Sequence, residues 1–317
     1  MTGEDKLSIA QWHISSFIPH PSSLSPHMPQ KPFTLSAAKL KRLRDERYWR
    51  KPSLRLKSPD DAVRFVNELG FCFFWPIQGI EMPSLWAAVA GDRPVADEHD
   101  DPGHMTWRWK DDALAKRLWY YGKLLRGKAT LVSLEMLPYF YALSENFGEP
   151  DDYLEEYRAG RLSAEAKAIY EVIRDGGAMD TVRLRREARM ATESSKTRFE
   201  KALTDLQKGL KILPVGVAEA GAWRYAFVYE LVDRWLPDAP ESARRITRGA
   251  ARVELARRYV ENVVTVTPGA IARLFGWRKD ELEAAIAGLV ERGAFVTGVQ
   301  VEGARGDHLA TATLLKR

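Results

Sequence analysis

The sequence predicts an α+β protein, mostly helical, built on tandem winged helix-turn-helix units. Residues 163–231 read as helix, helix, helix, strand, small-residue turn, strand. The same order returns over 248–316, about 85 positions further on, and such recurrence is an internal repeat. Ahead of both, the short apolar run LGFCFFWPI at 69–77 follows an amphipathic helix and reads as a buried strand.

At 317 residues the chain exceeds most single cores, so two or three domains are expected. We place their bounds at 33–150, 151–240 and 241–317, with 1–32 as a flexible N-terminal arm. A hydrophobic share of 45% with 29% charged residues marks an ordinary globular protein. Cys72 is the single cysteine, which excludes an internal disulfide framework and a cysteine metal cluster. No apolar run reaches the roughly 20 residues of a membrane span, and no apolar signal core opens the chain. A cytoplasmic monomer is the expectation. A net charge of +5 permits a nucleic-acid partner, and ten tryptophans with eleven tyrosines supply rings that unstacked bases could lie against.

The arm is rich in proline and serine, a composition that cannot repay its ordering entropy. His13, His20 and His27 recur every seven residues without carboxylate or cysteine partners at ligand spacing, so no metal site is read there. A helix then starts near Thr34 or Ser36 as cap. From Lys39 to Arg55 eight basic residues meet only Asp45 and Glu46. That segment is either a solvated face or a phosphate-tracking surface through Arg42, Arg44 and Arg47. Asp60 or Asp61 caps the next helix, which Gly70 stops before the strand. Past a polar loop, Asp111 or Asp112 caps a helix with Leu118, Tyr121 and Leu125 on one face. Lys123 and Arg126 stand in its basic end.

In the first repeat Ser163 and Asp180 cap two helices and Thr192 opens a third. The N-terminal end of that third helix commonly faces the bases in this motif. Thr192, Ser195, Lys196 and Arg198 are therefore the expected DNA contacts. In the second repeat the matching stretch, Trp277 to Glu281, is mixed in charge and less suited.

The run at 69–77, the basic aromatic segment MTWRWKDDALAKRLWYYGKLLRGK and the two repeats together resemble the AlkZ/YcaQ-type DNA glycosylases, over about residues 34–316. The resemblance implies three winged-helix units forming a concave DNA-binding face, with 33–150 as the first. It also implies excision of alkylated or crosslinked bases from double-stranded DNA, without metal or cofactor. In that family a Gln-x-Gln or Gln-x-Asp pair stands on this strand just before Pro-Ile. By position it falls on Phe73 and Trp75, which can neither position water nor stabilise an oxocarbenium ion.

Other residues must then carry any chemistry. Gln78 and Glu81 lie just past the strand and share one side if a helix starts there. They are the first candidates for orienting water and stabilising a sugar cation. On the competing reading Gln78 satisfies backbone and Glu81 caps the next helix. Asp101, beside His99 and His104, is a further acid-base candidate. Lys110 is a conceivable Schiff-base lysine. Trp75, Trp107 and Trp109 are the candidates for holding an extruded base. Two other classes remain open: a non-catalytic DNA-binding protein, and a winged-helix interaction module that does not touch DNA.

Overall fold

The computed structural model describes residues 33–146, 149 and 151–316, so the expected arm lies outside the described residues. It is mixed α+β and about half helical. The first part runs β1 (Thr34–Leu35), α1 (Ala37–Arg47), α2 (Pro59–Leu69), β2 (Phe71–Phe73), α3 (Leu85–Ala90), α4 (Met105–Leu114), β3 (Tyr120–Gly122), β4 (Thr130–Val132) and α5 (Leu137–Tyr141). The middle holds α6 (Asp152–Arg158), α7 (Ala164–Gly176), β5 (Met179–Asp180), α8 (Thr181–Glu187), α9 (Lys196–Lys208), β6 (Ile212–Ala218), β7 (Ala226–Leu231), α10 (Val232–Trp235) and α11 (Asp238–Ala243). The last part is α12 (Arg248–Val263), β8 (Thr265–Val266), α13 (Pro268–Phe275), α14 (Lys279–Glu291), β9 (Phe295–Val301) and β10 (His308–Thr311). Both repeats thus have the element order read from the sequence, with a short strand added between their first two helices.

Three small sheets follow, in the orders β2-β4-β3, β5-β7-β6 and β1-β9-β10-β8. Side-chain caps start the helices: Ser163 accepts the Ala166 N–H, Asp180 the Val182 and Arg183 N–H groups, and Thr267 the Ala270 N–H. Among the described residues no helix is long and apolar enough to cross a membrane.

Four local readings need correction. Thr34 is not a cap but part of β1, which pairs in parallel with β9; Ser36 caps α1. Ser58 caps α2 with Pro59 in its first turn, leaving Asp60 and Asp61 inside the helix. The helix expected after Asp111 instead ends at Leu114, and Arg117 takes a φ of 54°. Sheet pairing overrides the helical spacing, because β3 pairs with β4 and sends Tyr120 and Tyr121 into opposite apolar clusters. No helix begins at Gln78 or Glu81, since α3 starts at Leu85 under a Ser84 cap.

Strand β2 joins the parts. Its Phe71 and Phe73 enter an apolar cluster shared with Tyr120, Leu213, Tyr259 and Leu309. Cys72 and Phe74 enter another with Phe65, Trp109 and Tyr121. Each fully buried Phe contributes about 1.5–3 kcal/mol, so this strand is fixed from both faces. Gly70 makes the turn into it at φ +78°, and a Cβ there would sit 2.7 Å from Met136 Cγ.

Candidate functional site

Past β2 the chain leaves the sheet and comes back. The Phe73 N–H donates to the Pro83 carbonyl (3.0 Å) and the Trp86 N–H to the Phe74 carbonyl (3.1 Å). These bonds close the base of a loop whose tip, Gln78-Gly79, is turned by the Ile80 N–H donating to Ile77 O (3.1 Å). The loop lines a cleft of ≈ 560 Å³ with Gln78 and Glu81, and Arg126, Lys128 and Arg273 of α13 line it too. Tyr259 of α12 completes the lining.

Glu81 is held on three sides. Arg44 Nη1 donates to its Oε2 (2.7 Å), Tyr48 OH to its Oε1 (2.8 Å), and Tyr259 OH to its backbone carbonyl (2.9 Å). The carboxylate nevertheless stays 40% exposed. Burial pushes both phenols up, and the Glu81 charge adds to it, so Tyr48 and Tyr259 remain donors across the neutral range. Gln78 is exposed and its amide makes no hydrogen bond among the described residues. Arg126, Lys128 and Arg273 are exposed and hold no carboxylate among the described residues, so the cleft is cationic apart from Glu81. Arg126 takes a left-handed φ of 55°, a conformation that costs about 1–2 kcal/mol outside glycine.

The two positions where the resemblance puts a catalytic pair do not line this cleft. Phe73 is fully buried, in the cluster that also contains Tyr259 and Leu274. Trp75 is half-buried against Phe74 (4.7 Å between centroids), His104 (5.9 Å), Trp107 (6.1 Å) and Trp86 (6.2 Å). Trp107 is exposed beside Tyr225, whereas Trp109 is buried in the core and has no face for a base. Asp101 also lies elsewhere. It caps the short turn at Pro102–His104 through the Gly103 N–H (2.7 Å), and Arg93 reaches both its oxygens (2.6 and 2.8 Å). That guanidinium holds the Asp101 carboxyl below the usual range, which opposes a proton-transfer role near neutral pH. Among the described residues no group of three His, Cys, Asp or Glu side chains could hold a metal ion.

Lys110, like Lys211, is a deeply buried lysine. It is 2% exposed, 2.7 Å from Asp111 Oδ1 and 3.0 Å from Tyr225 OH. Its ammonium lies over the rings of Phe227 (4.5 Å), Tyr121 (5.1 Å) and Trp107 (5.2 Å). Burial lowers its pKa and Asp111 partly restores it.

The expected DNA contacts divide. Arg44 also donates to Val263 O (3.0 Å) and Thr265 O (3.1 Å), and Arg47 holds Glu68 (2.8 Å) and Asn262 (2.9 Å). Both are internal staples, while Arg42 is exposed and unpaired among the described residues. Lys123 is exposed, 3.5 Å from Thr204 Oγ1, and Arg126 reaches the cleft. Thr192, Lys196 and Arg198 are exposed, the cations facing Glu193 (3.5 Å) and Glu165 (3.1 Å). Ser195 is buried, its hydroxyl 2.6 Å from Met190 O and 2.7 Å from Thr192 O, so it shapes the turn instead of facing outward. Sequence reasoning missed Arg273, which only the approach of α13 to the β3–β4 loop brings to the cleft. Tyr48 and Tyr259 stand on helical apolar faces, and nothing local in the sequence signals their hydroxyl roles.

A mixed α+β protein with a cationic cleft at a strand exit is thus the class that fold and site define. A model of the AlkZ-related family matches residues 56–276, and the chain belongs to that family. Among solved structures it is similar to the Streptomyces sahachiroi DNA glycosylase AlkZ, with a TM-score of 0.58 over 90% of this chain and 72% of that one. Identity is 13%, which supports a shared fold. A search of curated proteins returned no match.

Proposed function

We propose that this protein binds double-stranded DNA and excises a damaged or modified base by hydrolysing its N-glycosidic bond. The reading takes residues 33–150, 151–240 and 241–317 as three winged-helix units presenting a concave face to the duplex, in a monomer. One observation carries it: Gln78 and Glu81 share a single cleft with Arg126, Lys128 and Arg273, all free of carboxylate partners among the described residues. Unpaired cations at a cleft wall suit the phosphates flanking an extruded nucleotide. A fixed carboxylate between them suits the positive sugar that forms as the bond breaks. In this assignment Glu81 stabilises that charge, Gln78 orients water or the base edge, and Arg44 and Tyr48 hold the carboxylate in place.

The test is incubation with duplexes carrying varied modified bases, followed by alkali to reveal abasic sites. We expect cleavage with at least one base, and a loss of about 100-fold or more in Glu81→Gln with binding retained. Full activity in that variant removes the assignment of Glu81. Tight, salt-sensitive binding with no cleavage across the panel removes the enzyme.

A second reading, a DNA-binding protein without catalysis, is favoured by the burial of Phe73. The position that carries an amide in the resembling enzymes is here part of the core.

A further inference from the structure

The hairpin β6–β7 carries Trp223 at its tip, and this side chain is 92% exposed. Tryptophan is among the more buried residue types, so such exposure on a tip is out of place unless something covers it. The tip is ordered by its own bonds. Ala220 N–H donates to Ala218 O (2.9 Å), Arg224 N–H to Gly221 O (3.1 Å), and Arg224 pairs with Glu219.

Two residues below the tip, Tyr225 OH is tied to Lys110 (3.0 Å) and Asp111 (3.1 Å) of α4. The caged lysine, which the proposed chemistry does not use, therefore fixes the root of this hairpin. A hollow of ≈ 490 Å³ lies beside the tip, lined by Trp223, Val182 and Arg185 and by Lys123 of the β3–β4 loop. The same loop puts Arg126 and Lys128 into the cleft of Gln78 and Glu81. Five residues span at most about 17 Å, so Lys123, which lines one hollow, and Lys128, which lines the other, stand within about five nucleotide steps of each other.

Charge selects the occupant. Helix α8 and the turn after it carry Arg183, Arg185, Arg186 and Arg189 against Glu187 alone. Arg185 donates only to backbone carbonyls, and Arg183 and Arg186 share that one glutamate. An aromatic tip whose surround holds Lys123, Arg183, Arg185 and Arg186 against Glu187 and Glu200 fits a polyanion with stacked rings better than an acidic or apolar protein face.

We propose that Trp223 enters a groove of duplex DNA and stacks on a base or opened base step while Lys123, Arg126 and Lys128 hold the backbone. The inference rests on the DNA-binding reading above and deepens it. A side chain that probes the stack next to the cleft selects weakened base steps, because unstacking them costs least.

The experiment uses the full chain and duplexes with 2-aminopurine beside a mismatch or an abasic site. We expect Trp223→Ala to bind such duplexes roughly 5- to 100-fold more weakly, the range of one lost base–aromatic stack. The 2-aminopurine signal should change on binding of the wild type and not of this variant. The salt dependence and the melting temperature should stay as in the wild type, and Trp223→Phe should recover part of the affinity. Equal affinity and equal fluorescence change for the alanine variant overturn the role of Trp223 while DNA binding stands. Absence of salt-sensitive duplex binding by the wild type overturns both.

Discussion

Helix α1 and the β3–β4 loop are both rich in basic residues, and they use them in opposite ways. On α1, Lys41, Arg44 and Arg47 each hold a carboxylate, as do Arg50 and Lys51 just past its end. Their partners Glu68, Glu81 and Asp92 come from α2, the cleft loop and the turn after α3. The helix pins distant segments to one another. In the loop, Arg126 and Lys128 hold no carboxylate among the described residues, and Arg273 of α13 joins them from more than a hundred residues away. Apart from Lys39 and Arg42, the dense run of positive charge is structural here, whereas the sparse set holds no carboxylate among the described residues. Counting cations along a sequence ranks these two regions in the wrong order for binding.

The largest effect follows from the sparse set. At 0.1 M salt each phosphate contact contributes about eightfold to duplex affinity relative to 1 M, by counterion release. Arg126→Ala, Lys128→Ala and Arg273→Ala combined should lower affinity about 100- to 1,000-fold and reduce the salt slope by about 2.7. Melting should be unchanged, since none of the three has an internal ion pair among the described residues. Titrations over a salt series check this. An equal loss in a Lys41→Ala, Arg50→Ala variant that still folds would reverse the comparison.

The staple side makes the complementary prediction. Arg44→Ala removes the guanidinium from Glu81, which keeps the Tyr48 hydroxyl, and from the carbonyls of Val263 and Thr265. Hydrogen bonds to charged groups are worth about 1.5–3 kcal/mol, so a total cost of about 2–4 kcal/mol is expected. Melting should fall by about 3–6 °C in a chain of this size. Duplex affinity at a temperature where both proteins are folded should change little. A variant that melts normally but binds weakly would return Arg44 to the DNA surface.

What the sequence revealed depended on range. The repeats at 163–231 and 248–316 were legible because Ser163, Asp180 and the apolar spacing act within a turn or two of where they stand. Strand β1 was not, because a two-residue strand is defined by partners at Gln300 and Val301. The helix expected at 111–125 failed for the same reason: its spacing was helical, but β4 supplied a competing ladder. At the cleft, Gln78 and Glu81 were legible as polar groups past a strand, and Arg126 only as part of the basic end of the helix expected at 111–125. The pairing that removed Arg44, Arg47 and Asp101 from solvent was not, because it is made between side chains far apart in sequence.

Lys110 gives the smallest effect and sets a limit on the comparison, because it is a cation that is both paired and deeply buried. Burial among Phe74, Trp107, Tyr121, Tyr225 and Phe227 disfavours its ammonium form, and Asp111 offsets only part of that. Its folded pKa therefore lies below 10.5, and in the window between the two values the unfolded chain binds more protons. Stability contributed at this site then rises with pH through that window and is lost as pH falls through the folded value. Tyr121 and Tyr225 face the same lysine and act in the opposite sense near pH 10 and above, because burial raises their pKa values. Both tyrosines are also present in Lys110→Met, so most of their effect cancels in the difference between the two proteins. Denaturation by urea at several pH values below 10.5 should show the wild type gaining on Lys110→Met as pH rises toward 10.5. A flat difference would mean that Asp111 and the rings compensate the charge in full. Lys110 would then be a staple of the same kind as Arg44.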